Sequence, residues 1–176
     1  MANAHNTDNS DAGAGGSSGY NSVRPRLFAA IATTVVGVDQ ITKLIAVDFL
    51  GAAYVPHPVL GNWLRLTLVY NPGAAFGIHA GQYSRWIFTA LTIGALWLLW
   101  RLYRETPPAD TRRVVSISLV IGGALGNLLD RLRSARGVTD FIDVGIGTSR
   151  WPTFNVADMA VSCGAILLAW VLWRED

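Results

Sequence analysis

Four long apolar stretches dominate the chain, at residues 27–47, 86–102, 114–132 and 154–173. Each approaches the roughly 20 residues that an α-helix needs to cross a bilayer. In hydrocarbon every backbone polar group must find a partner within its own segment, so these stretches are predicted to be transmembrane helices. Composition agrees: 51% of the residues are hydrophobic and 15% charged, against about 25% charged in soluble domains. A secretory signal peptide is the alternative for the first stretch. It is long for such an apolar region and carries Asp39 and Lys43, so it reads as a retained helix.

Between and before the spans the sequence changes character. Residues 1–22, MANAHNTDNSDAGAGGSSGYNS, offer almost nothing to bury and are expected to form a disordered tail, leaving 23–176 as one membrane domain. The connector at 103–113, YRETPPADTRR, is short and broken by Pro107 and Pro108. Residues 48–85 differ: NWLRLTLVYN alternates apolar and polar residues like a strand, and NPGAAFG reads as a glycine-rich turn. A small β-element at one membrane face is therefore expected, on an otherwise all-α membrane fold.

Arginines set the expected orientation. With the N-terminal tail inside, Arg24, Arg26, Arg101, Arg104, Arg112, Arg113 and Arg174 lie on the inner side. Arg65, Arg85, Arg133, Arg136 and Arg150 lie on the outer side, a modest positive-inside bias. Trp63, Trp86 and Trp151 would then mark one interface, and Trp100 and Trp173 the other.

Several function classes drop out. The net charge is only +2 and there is no basic run, so nucleic acid is not an expected partner. The single cysteine, Cys163, can form neither an internal disulfide nor a metal cluster and reads as a small core residue. His5, His57 and His79 lack ligand spacing, so neither metal nor cofactor is expected.

What remains is a set of polar residues where a bilayer tolerates few. Spans one and three run in the same direction, so their C-terminal halves share a leaflet with the start of span four. That is where Asp39 and Lys43, then Asn127, Asp130 and Arg131, then Asn155 and Asp158 occur, and the loops carrying Asn71 and Asp140 reach the same face. The i,i+3 and i,i+4 spacings put each set on one helix face. Taken singly, each has a structural explanation: an Asp39–Lys43 tether, a headgroup-level Asp130–Arg131, an Asn127 helix-to-helix bond, close packing at GGALG, and Asp140 and Asp143 as ordinary loop acids. Their convergence predicts a shallow wet pocket at one membrane surface.

Carboxylates are the abundant reagent there, whereas no serine or cysteine has a nucleophile's surroundings. Two aspartates held close share one proton; the ionised member can activate water while the protonated one polarises a carbonyl. This is aspartic peptide hydrolysis. A proton-coupled transport subunit is the rival, but it would place acids near the midplane with access to both sides. A purely structural bundle would leave the polar pocket without a purpose.

The blocks VDQITK, VYNPGAAFG, GGALGNLLDR, GVTDFIDV and FNVAD, in this order from Val38 to Asp158, resemble those of the lipoprotein signal peptidase (signal peptidase II) family. The resemblance implies a four-helix membrane aspartic endopeptidase with a β-cradle at the outer face of the bacterial inner membrane, both termini being cytoplasmic. Its implied partners are membrane lipids and diacylglyceryl-modified prolipoproteins, cleaved just before the lipidated cysteine. By motif, the implied catalytic pair is Asp140 and Asp158. Asp39, Lys43, Asn71, Asn127, Asp130, Arg131 and Asn155 become supporting or substrate-binding residues. Thr139 stands where an aliphatic residue is commoner, and the tail lies outside the resemblance.

Overall fold

The computed structural model describes residues 15–73 and 81–174. Four helices long and apolar enough to cross a membrane account for most of it: α1 (Gly15–Leu50), α2 (Ser84–Glu105), α3 (Thr111–Arg133) and α4 (Val156–Trp173). The span within α1 covers Arg24–Leu50. Each helix contains the predicted apolar stretch, except that α4 begins two residues after Phe154, at Val156. Of the expected tail, residues 1–14 lie outside the described residues, and 15–22 continue α1 backwards as helix. The turn NPGAAFG is described only through Gly73.

α3 is the central helix, packed against α4, α1 and α2. Half of its most apolar window is buried, against 11% for α2, which mostly faces outwards. Glycines allow this packing. A Cβ on Gly123 would lie 2.3 Å from the Ala157 carbonyl of α4, and one on Gly126 would lie 2.6 Å from Asp39 Oδ2 of α1. The Ser116 and Ser118 hydroxyls, fully buried in α3, donate to the Arg112 and Val114 carbonyls of their own helix, as an apolar surround requires. Asp110 caps the N-terminus of α3, its side chain accepting from the Arg113 amide at 3.0 Å.

The β-element is a four-stranded antiparallel sheet in the order β1 (Pro56–Leu60), β2 (Leu64–Asn71), β3 (Val138–Ile146), β4 (Ser149–Arg150). β2 falls where the alternation predicted a strand. β3 comes from GVTDFIDV, whose acids had an ordinary-loop explanation; it is a strand instead. In the β2–β3 register Val69 faces Asp140, Asn71 faces Val138 and Arg65 faces Asp143, with a bulge between Leu66 and Val69. The connectors on either side of α2 and α3 are thereby joined into one layer. Leu68 and Phe141 bury this layer against Ala46 and Leu50 at the end of α1. A second apolar cluster, Tyr103, Val114, Ile117 and Ile121, closes the opposite end of the bundle.

β3 is also bound to the approach to α4. The Ile142 amide donates to the Phe154 carbonyl at 2.8 Å, and the Phe154 amide donates back to the Ile142 carbonyl at 3.0 Å. This clasp fixes the strand carrying Asp140 against the first turn of the helix carrying Asp158.

Candidate active site

Asp39 and Lys43 are one turn apart on α1 and both are buried. Lys43 Nζ lies 2.8 Å from Asp39 Oδ2 and 2.9 Å from Asp130 Oδ2 of α3, and donates to Asn127 Oδ1 at 2.9 Å. An ammonium removed from water has to be surrounded in this way. Asp39 does a second job: its Oδ1 accepts from the Ala157 amide at 2.9 Å, one of the free donors at the start of α4. The expected Asp39–Lys43 ion pair is therefore the junction of three helices.

From this junction hydrogen bonds lead to the two candidate catalytic carboxyls. Asn127 Nδ2 donates to Asp158 Oδ1 at 2.7 Å. Asn155 caps α4 in a reciprocal box with Asp158: the Asp158 amide donates to Asn155 Oδ1 at 2.9 Å, and the Asn155 amide to Asp158 Oδ2 at 3.3 Å. The same Asn155 side chain donates through Nδ2 to Asp140 Oδ1 at 2.6 Å and to Asn127 Oδ1 at 3.1 Å. One fully buried asparagine thus binds both carboxyls, one through its backbone and the other through its side chain.

Asn71, at the end of β2, also hydrogen-bonds Asp140 through its side chain and accepts from the Gly73 amide at 3.0 Å. Arg131 lies within electrostatic reach of Asp158, Asp140 and Asp130, with its guanidinium 5.9 Å from the Phe88 ring centroid. Its buried Nε has no hydrogen-bond partner among the described residues. All nine candidate residues fall in one connected cluster. It contains four carboxyls and two cations, an excess of acid that favours keeping a proton. Burial, then the neighbouring Asp158 carboxylate, pushes Asp140 up to about 7, against the pull of the Asn155 and Asn71 hydrogen bonds and the Lys43 charge.

Three features lay beyond the sequence reading. Gln40, inside VDQITK itself, donates through Nε2 to Asp130 Oδ1 at 3.1 Å and to Asp39 Oδ2 at 3.2 Å, and its spacing from Lys43 was the available signal. Asp143, three residues beyond Asp140, is no ordinary loop acid. It is buried and clamped by Arg65 at 2.9 Å, Arg150 at 2.6 Å and the Thr67 hydroxyl at 2.9 Å. Burial alone would raise its pKa, but the Arg150, Thr67 and Arg65 hydrogen bonds hold it below the usual carboxylate range. Cys163, expected in the core, is exposed on the outer flank of α4, because α4 buries only the narrow face that meets α3 and α1.

The family model for signal peptidase (SPase) II matches residues 31–174. The lipoprotein signal peptidase of Polynucleobacter necessarius is 40% identical over 154 residues, covering 85% of this chain and 90% of that protein. The lipoprotein signal peptidase of Hydrogenovibrio crunogenus is 43% identical over 146 residues, covering 78% and 80% respectively. Among solved structures, a bacterial membrane enzyme determined in meso at 2.3 Å superposes with a TM-score of 0.73 at 34% identity, covering 84% of this chain and 88% of that one.

Proposed function

The chain belongs to the signal peptidase II family, and on that premise we propose that it is an aspartic endopeptidase acting on diacylglyceryl-modified prolipoproteins. It removes the signal peptide by cutting just before the lipidated cysteine. The observation that carries the aspartic assignment is Asn155 bonded to both Asp140 and Asp158. In this reading the pair holds one proton between them. The ionised carboxyl takes a proton from water as its oxygen attacks the scissile carbonyl. The protonated one donates to the carbonyl oxygen, and collapse of the tetrahedral species returns a proton to the leaving amine.

Arg131 is the remaining donor-rich group in the pocket, and its fixed fork suits substrate carbonyls or lipid oxygens. Lys43, Asp39, Asp130, Asn127 and Asn155 hold the carboxyls in place, and Asn71 positions Asp140. The modest arginine bias supports a reading in which both termini are cytoplasmic and the site lies near the outer face of the inner membrane.

The test is processing of a lipidated prolipoprotein by purified protein, followed as a gel shift. Asp140→Asn and Asp158→Asn should each lose nearly all turnover, about a thousandfold or more, with the double variant scarcely worse because the pair acts as a unit. The exposed Asp48 supplies the control, as Asp48→Asn should cleave like the unaltered protein. Near-normal processing by either dyad variant would overturn the assignment.

A further inference from the structure

A cavity of about 180 Å³ opens between α1, the end of α3 and the start of β3. Gln40, Lys43, Leu44 and Val47 line it at i, i+3, i+4 and i+7, one face of α1. Leu44 is 70% exposed, so the cavity is open to whatever surrounds the span. Neither Asp140 nor Asp158 is in its walls. Thr139 is, and consecutive side chains on a strand take opposite faces, so the cavity lies behind Asp140.

The two cations in the cavity are placed differently. Lys43 is already surrounded by Asp39, Asp130 and Asn127. Arg133 is exposed, and its one hydrogen bond among the described residues runs from Nη1 to the Gln40 side-chain oxygen at 3.3 Å. α1 runs on past Gln40 to Leu50, with Ile41, Leu44 and Ile45 exposed on the way. The guanidinium therefore lies level with apolar side chains of the span, where a charge without a counter-ion is costly. Two hydroxyls stand beside it. Ser134 accepts from the Arg136 amide at 3.1 Å and keeps its own proton to donate. Thr139, where the family resemblance implies an aliphatic residue, brings the second.

We propose that this cavity holds the headgroup phosphate of an anionic phospholipid from the surrounding leaflet, at a site separate from the substrate's. The phosphate diester accepts from Arg133, Ser134 and Thr139, and the first acyl methylenes lie on Leu44 and Val47. A headgroup with net negative charge neutralises Arg133, whereas a zwitterionic one brings another cation beside Arg133 and Lys43. Free phosphate would meet the donors but leave Leu44 and Val47 uncovered. The site also touches the catalytic cluster from behind. Gln40 links Arg133 to Asp130, and Asp130 Oδ2 accepts from the Thr139 amide at 3.1 Å, anchoring the strand that carries Asp140. A bound lipid tightens that anchor. The inference goes beyond the peptidase reading and needs only the membrane fold.

Full-length protein, delipidated in a neutral detergent, would be melted with dioleoyl-phosphatidylglycerol, dioleoyl-phosphatidylcholine or inorganic phosphate at equal concentration. Phosphatidylglycerol is expected to raise the melting temperature by about 3–6 °C and the other two by less than about 1 °C. Arg133→Gln should abolish the shift by removing the charge, and Leu44→Trp by filling the cavity from its exposed rim. Thr139→Val should reduce it. Arg26→Gln, which removes an exposed arginine near the other end of the span, should keep it. If one cavity variant fails to fold, the other still decides. As a second measurement, phosphatidylglycerol should slow hydrogen exchange at the Thr139 amide in the unaltered protein and not in Leu44→Trp. The proposal fails if the folded cavity variants keep the shift, or if Arg26→Gln loses it equally. It also fails if phosphatidylcholine or phosphate alone matches phosphatidylglycerol. No measurement here uses cleavage, so failure of the peptidase reading would leave the outcome intact.

Discussion

At Asp140 function and stability pull in opposite directions. Burial and the nearby Asp158 carboxylate raise its pKa to about 7, so in the folded protein it keeps a proton that an unfolded aspartic acid, near 3.9, has already lost. A raised acid stabilises the fold below its unfolded pKa, and that contribution drains away as pH climbs through the folded value. Stability should therefore decline between about pH 4 and pH 7, by up to ~1.4 kcal/mol per pH unit from this group. Asp140→Asn should flatten the slope and melt higher than the unaltered protein at pH 8. In the folded protein the shared proton leaves only around the upper end of that window, so kcat/KM should fall as pH rises through about 7. Thermal melts and cleavage rates across pH 4–9 check both, and a flat melting profile in the unaltered protein would contradict the burial argument. One partner of Asp158 was legible in the sequence as a local cap, Asn155 at i−3, whereas Asn127 reaches it from α3. The partners of Asp140 were not legible: Asn71 and Asn155 reach it from β2 and the start of α4.

The helices could be read from length and apolarity alone, since a bilayer leaves a twenty-residue apolar segment no other structure. β2 was legible through its alternation, but β3 was not. Asp140 and Asp143 are both buried, and no local rule assigns acids to a buried strand; only distant partners make it possible. For Asp143 these are Arg65 and Thr67 on β2 and Arg150 on β4, each within 3.0 Å. The clamp spans β2, β3 and β4, so it belongs to the sheet rather than to one residue. Asp143→Asn should leave two arginines facing a neutral amide, costing about 1–3 kcal/mol. The expected result is a lower melting temperature, faster amide exchange in β2 and β3, and a partial loss of cleavage as the strand carrying Asp140 loosens. Unchanged exchange in β2 and β3 would show that backbone pairing alone holds the sheet.

On the scale of the whole molecule, the site is a closure of distant pieces. Asp39 and Lys43 come from α1, Asn71 from β2, Asn127, Asp130 and Arg131 from α3, Asp140 from β3, and Asn155 and Asp158 from the start of α4. α3 makes the closure possible by letting α1 and α4 approach across Gly126 and Gly123. Nothing in this cluster comes from before Asp39, and the family match begins at residue 31. The sequence of residues 1–14 is polar and small and offers little apolar surface to bury. Deleting residues 2–14 should therefore leave both the melting temperature and the cleavage of a lipidated prolipoprotein in detergent within about twofold of the full chain. Equal membrane insertion with a large fall in cleavage would mean that this segment contacts the substrate, and the site would then extend beyond the helices and sheet that assemble it. A fall in melting temperature as well would instead point to a packing role against the bundle end formed by Tyr103, Val114 and Ile117.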